Sequence, residues 1–185
     1  MGETMNGTAV ILIIVGIILL TIIGIYNSLV NSYKKVERSR SLIDIYLKKR
    51  FDLIPNLVEC VKGYAKHEQE TLEKIIAMRN PGRNSSLAEK QEFANQTADA
   101  IKALNVVVEQ YPTLKADTQF TAIQNHIADV EEQLQAARRL YNANVSSYNQ
   151  SIIVFPASLV AGSKFTKRDF FEAEESKRED VKIEF

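Results

Sequence analysis

The residues able to do chemistry are few and poorly spaced for it. The two histidines, His67 and His126, fall on different expected helices. Neither has a partner at the H-E-x-x-H or E-x-x-H spacing, at which two side chains one turn apart grip the same metal ion. No metal site is therefore expected. Cys60 and His67 are seven residues apart, about 10 Å along a helix, too far for a nucleophile and its base. Cys60 reads as a small buried thiol. Gly162-Ser163-Lys164 lacks the preceding glycine framework of a phosphate-binding loop, and no G-x-S-x-G or dinucleotide fingerprint occurs. The carboxylate pairs Glu131-Glu132 and Glu174-Glu175 are adjacent in sequence, so on a helix they point apart and read as solvated surface. No cofactor and no catalytic residue is expected.

Polar residues do concentrate in two places. Arg50, Asp52 and Asn56 surround Pro55 and interleave with Leu53, Ile54 and Leu57. Arg138, Arg139, Asn142 and Asn149 lie along a later helix. Arg50, Asp52, Asn56, Arg138, Asn142 and Asn149 are expected to form an interhelical hydrogen-bonded network that fixes helix register. A ligand site is the alternative, less favoured because no strong acid–base pair accompanies the set.

The elements that must position these residues begin with a membrane anchor. Residues 9–26 read AVILIIVGIILLTIIGIY and carry no charge. As a helix they span roughly 27 Å, close to the thickness of a hydrocarbon core. Residues 1–8 have no Lys or Arg, and no small-residue cleavage pattern follows the run, so an uncleaved anchor is expected instead of a signal peptide. Lys34, Lys35, Arg38 and Arg40 follow the span and no basic residue precedes it. The positive-inside rule then puts residues 1–8 outside and the rest in the cytoplasm of a single-pass inner-membrane protein. Those four basic residues stand near enough to meet anionic lipid headgroups, whereas Lys48-Lys49-Arg50 lie too far along a straight helix.

Composition agrees with a helical, membrane-tethered chain. Its 185 residues hold 23 basic and 23 acidic side chains. A zero net charge argues against a nucleic-acid partner. One cysteine excludes an internal disulfide framework, and seven glycines, four prolines and no tryptophan leave little turn chemistry for a many-stranded fold. The soluble part reads as four amphipathic helices: 27–50, 55–79 after a tight joint at Asp52-Leu53-Ile54 marked by Pro55, 86–111, and a last one that starts near Asp117 or Thr118 and is ended by Phe155-Pro156. A continuous helix through Pro55 is the alternative. Ser86 and Glu89 resemble a capping box, and Asp117 or Thr118 suits the start of the last helix. Phe120, Ile123, Ile127, Val130, Leu134, Ala137, Tyr141, Val145, Tyr148 and Ile152 step by three or four, a seam for coiled-coil-like packing within the chain or between chains. The expected fold class is all-α: a transmembrane helix at 9–26 continuing into an antiparallel bundle of about four long helices over 27–155, then a mixed tail at 156–185.

The residues of the polar clusters also carry a resemblance. The run Arg50 to Tyr64, RFDLIPNLVECVKGY, followed by His67-Glu68 and Thr71-Leu72, resembles the signature of the bacterial LemA family. So do Tyr26-Asn27-Ser28-Leu29-Val30 at the anchor exit and Ala137-Arg138-Arg139-x-Tyr141-Asn142 with Tyr148-Asn149 and Phe155-Pro156. Phe170-Phe171-Glu172-Ala173-Glu174-Glu175 and the closing Val181-x-x-x-Phe185 extend the match into the tail. Ile45-Tyr46 and Cys60 depart from it locally. The resemblance implies one membrane pass and a cytoplasmic helical bundle, and brings no catalytic residue with it. It points to proteins implicated in forming magnetosome membranes and to association with membrane zinc proteases.

Two functions are expected in competition. The first is a non-enzymatic scaffold or adaptor that self-associates, with membrane lipids and a membrane protein as partners. The second is a regulatory subunit of a membrane enzyme such as a zinc metalloprotease. An unrecognised enzyme centred on Arg50 or Asp52 is a third and weaker reading.

Overall fold

The structure is a computed structural model and describes residues 7–65, 68–82 and 84–171. Among these, all regular structure is helical. Helix α1 spans Gly7–Lys62, α2 Gln69–Ile76, α3 Leu87–Glu109, α4 Pro112–Lys115, α5 Thr118–Ser151 and α6 Ala157–Ala161. The apolar run expected to cross the membrane forms the first part of α1; none of its side chains is buried, and most are exposed. A helix that is apolar on every face and covered by no protein suits hydrocarbon surroundings.

The joint expected at Pro55 is absent, because α1 runs through that proline to Lys62. An interior proline costs a helix about 3 kcal/mol. Ile54, Leu57, Val58 and Val61 are buried in the same stretch. Each contributes roughly 1.5–3 kcal/mol by leaving water, so together they outweigh the proline. Pro55 itself lies on the exposed side. Gly63, expected inside a helix, lies instead in the turn that ends α1. The second expected helix shrinks accordingly to the eight residues of α2. It stops at Ala77, before the Asn80-Pro81-Gly82 turn, in which Gly82 takes a positive φ of 88° that glycine adopts without strain.

The chain folds as two compact units. In the unit formed by Arg40–Leu140 with Phe171, the helices alternate in direction as expected. Asp44 meets Lys90 and Arg50 meets Thr97, so α1 and α3 run parallel. Arg50 meets Glu131 and Tyr64 meets Asp117, so α5 runs opposite to α1. The descending leg between α1 and α3 is α2 plus the loop after it, and Arg40 Nη2 donates to Ser85 O at 2.8 Å where that loop ends. Ile54, Leu57, Val58, Leu72, Leu104, Val108, Phe120 and Ile127 share one hydrophobic core. The capping box at Ser86 and Glu89 is present with both bonds. Asp117 Oδ1 accepts from the N–H of Gln119 at 2.7 Å and of Phe120 at 3.1 Å, capping α5. Those two amides hold its carboxyl below the usual carboxylate range.

In the other unit, residues 7–39 of α1 accompany Tyr141–Phe170. The Tyr33 and Tyr148 rings meet edge-on at 6.0 Å, and Asn144 Nδ2 reaches Lys35 O at 3.5 Å, again with α5 opposite to α1. Leu29, Val36, Val145, Tyr148 and Ile152 are buried. The α5 seam is thus spent inside the chain in both units: only Ile123 and Val130 of its ten residues are half-buried and the rest are buried. Of the tail expected at 156–185, residues 157–161 form α6 and residues 165–171 lie extended. The acidic stretch and apolar close at 172–185 lie outside the described residues.

Candidate functional site

The heptad steps of α1 bring a charge into the core. Ile43, Leu47, Arg50, Ile54, Leu57 and Val61 are separated by four, three, four, three and four residues, so Arg50 occupies a seam position between leucine and isoleucine layers. It is 1% exposed. Its Nη1 donates to Glu131 Oε2 of α5 at 2.6 Å. Its Nη2 donates to Ala94 O at 2.6 Å and Thr97 Oγ1 at 2.8 Å, both on α3. One guanidinium therefore ties all three long helices. The Thr97 hydroxyl donates back to its own helix at Phe93 O or Ala94 O, each at 3.0 Å. Glu131 Oε1 accepts from Gln135 Nε2 at 2.6 Å. Taking a cation out of water costs several kcal/mol, and only such a set of charged and neutral acceptors offsets it.

A second buried cation lies about two turns away. Lys90 Nζ meets both carboxylate oxygens of Asp44 at 2.7 Å. This pair lines a cleft of about 500 Å³ with Ser41, Ile45, Pro81 and Phe93 among its walls. Among the described residues, no histidine or cysteine lines the cleft, and no three His, Cys, Asp or Glu side chains gather for a metal ion. An arginine that never deprotonates and a lysine held by aspartate make a charge-locked core. Such a core positions helices.

Residues 39–185, which hold both ion pairs and the whole of α5, match the sequence model of the LemA family. The chain belongs to the LemA family. Protein LemA of Metamycoplasma hominis is 29% identical over 170 residues, covering 90% of this chain and 78% of that protein. Magnetosome protein MamQ of Magnetospirillum gryphiswaldense is 22% identical, covering 76% of this chain and 62% of that protein. Magnetosome protein MamQ 2 of Paramagnetospirillum magneticum is 23% identical, covering 82% and 66%. None of these names denotes a reaction. With its exposed apolar helix, this LemA family member is a membrane-associated protein.

The expected polar set does not gather in one environment: Arg50 and Arg138 are buried, while Asp52 and Asn56 turn to solvent. Arg50 and Arg138 are buried in the same unit. The Arg138 guanidinium lies 5.0 Å from the Phe171 ring centre. Asp52, two residues from Arg50, turns to solvent and pairs with exposed Lys48 at 2.6 Å. Asn56 is exposed as well. A two-residue step on a helix reverses the face, which separates Asp52 from Arg50. Asn142 and Asn149 belong to the other unit and are half-buried. The Asn149 side-chain amide donates to Arg168 O and accepts from Arg168 N, both at 2.8 Å. Tyr148 O–H donates to Thr166 O at 3.0 Å and Tyr141 O–H to Asp169 O at 2.9 Å. These bonds strap the extended residues along α5, and Arg168 in turn stacks over Tyr33 at 4.8 Å. Burial pushes the Tyr148 phenol up.

Of the four basic residues expected at the membrane surface, Lys34, Lys35 and Arg38 are exposed. Arg40 is half-buried and committed to Ser85 O, so its role is structural. Glu131, expected on the solvated surface, instead receives Arg50. Sequence reasoning also missed Thr97, Lys90 and Asp44. The signal for three of these four was present: Lys90, Phe93, Thr97, Ala100, Leu104 and Val107 form one heptad stripe, and Glu131 falls between Ile127 and Leu134 on another. A charge at a seam position marks a buried ion pair: Arg50 with Glu131 at one level, and Lys90 with Asp44 at another. His126 is exposed, and His67 lies outside the described residues.

Proposed function

We propose that this LemA family protein is a non-catalytic, membrane-anchored helical scaffold or adaptor that self-associates and organises or binds membrane components. The carrying observation is α1, a single helix that holds both an apolar stretch exposed on every face and the buried stripe around Arg50. The charge-locked core supports the reading, because its bonds are spent on joining helices. Relatives named as magnetosome proteins fit a part in organising a membrane compartment. By the positive-inside rule, the N-terminus lies outside and the helical part in the cytoplasm of the inner membrane.

The test is mass photometry of the full chain in nanodiscs or mild detergent, beside residues 27–185 alone. A discrete assembly well above the 20.9 kDa of one chain, lost when the anchor is removed, is expected. Monomers in both preparations, with no membrane component copurifying, would sink the proposal. Crosslinking that captures a membrane protease would put the regulatory-subunit reading in its place.

A further inference from the structure

Beyond the span in α1, the described residues hold a further cluster of exposed apolar side chains. Ile153, Val154, Phe155 and Leu159 lie where α5 passes into α6, and all four are exposed, Phe155 by 75% and Leu159 by 76%. Adjacent large apolar side chains open to water mark an interaction surface. From Leu140 to Ser163 the chain carries no charged residue, and the next one is Lys164.

The position of this turn says what covers it. Within this unit, α5 runs opposite to α1, with Tyr148 against Tyr33. Tyr26, the last residue of the apolar span, lies seven residues or about 10 Å of helical rise from Tyr33 along α1, and α5 continues toward that level as far as Ser151. Contacts on the far side of the turn give the same level. The Phe165 ring meets the Tyr26 ring edge-on at 5.8 Å, and Lys164 Nζ lies 2.5 Å from the Tyr26 hydroxyl. The residues between, 152–163, therefore turn at the end of the span. Tyrosine and lysine at that level are the residues that favour the boundary between lipid headgroups and acyl chains.

We propose that the α5–α6 turn is a second membrane contact, which inserts Ile153, Val154, Phe155 and Leu159 into the headgroup–acyl boundary of the leaflet from which α1 emerges. The occupant is bilayer lipid, by continuity with the apolar surface of α1. The proposal rests on reading residues 9–26 as the membrane span. An anchor plus an inserted turn holds the unit at the bilayer by two points, so that it cannot swing freely about the span.

The test uses the full chain carrying Cys60→Ser, reconstituted in phosphatidylcholine–phosphatidylglycerol vesicles with or without brominated acyl chains. An environment-sensitive fluorophore is attached at Phe155→Cys or Leu159→Cys, with Leu20→Cys marking the span and Lys115→Cys marking solvent. Circular dichroism and an unchanged urea midpoint establish that each labelled variant is folded. Brominated lipid is expected to quench the labels at 20, 155 and 159 and to leave the label at 115 unaffected. Quenching at 20 with none at 155 and 159 overturns the second contact and leaves the span standing. No quenching at 20 overturns both. A blue shift at 155 and 159 without bromine quenching means that protein covers the turn, and overturns the lipid assignment.

Discussion

Arg50→Ala empties a wholly buried site, takes the donor from Ala94 O and Thr97 Oγ1, and leaves the one-third-exposed Glu131 without its cation. Breaking such a pair costs about 3–5 kcal/mol. For a chain of this size that lowers the melting temperature by about 6–20 °C. The structure supplies its own control two residues away. Asp52→Ala touches only an exposed pair with Lys48, and its cost should stay within about 0.5 kcal/mol. Glu131→Ala should cost at least as much as Arg50→Ala, because it leaves the Arg50 guanidinium, 1% exposed, buried without its carboxylate. Urea unfolding of the full chain in mild detergent, followed by far-ultraviolet circular dichroism, measures all three. The Arg50→Ala, Glu131→Ala double variant should lose less than the sum of the singles, with a coupling of about 0.5–3 kcal/mol. Equal costs for Arg50→Ala and Asp52→Ala, or additive singles, would refute the buried tie. An activity lost by a still-stable Arg50→Ala would instead revive the catalytic reading.

Further outcomes follow from the packing. Leu104→Ala and Leu134→Ala, both wholly buried, should each cost about 2–5 kcal/mol independently of protein concentration; a concentration-dependent loss would mean that the seam joins separate chains. Pro55→Ala should stabilise by about 1–3 kcal/mol, since it restores a helical hydrogen bond that the proline ring removes, and a lower melting temperature would show a packing role for the ring. Asp117 has its carboxyl held down by the Phe120 and Gln119 amides. Its stabilisation is full above the ordinary carboxylate range and fades as the pH falls through the lowered folded value. Thermal melts of the parent and Asp117→Ala should therefore converge in acid, and a pH-independent gap would contradict the cap. Burial first, then Asp117 and Glu59, push the Cys60 thiol up, so alkylation at neutral pH should be slower in the folded than in the urea-unfolded chain; equal rates would contradict that.

Much of this protein is legible in its sequence because the information is local or periodic. An uncharged run of eighteen residues dictates a membrane-compatible helix wherever it occurs. The Ser86–Glu89 box and the Asp117 cap depend only on residues within one turn, and both form as read. The α5 seam is readable as a stripe, yet its partner is not: a stripe states that a face must be covered, and only the fold shows it covered within the chain. Pro55 turns on the same distinction. Its local cost argues for a joint, and the burial of Ile54, Leu57, Val58 and Val61 against the rest of the core outweighs it. Arg50 and Asp52 look alike in sequence, both charged and both near the proline. Helical geometry sends one into the core and the other into water, and the acceptors waiting for Arg50 on α3 and α5 lie 44 to 81 residues away along the chain. No local rule specifies a partner at that separation. Only packing three helices together sets which charges meet, and so which are buried.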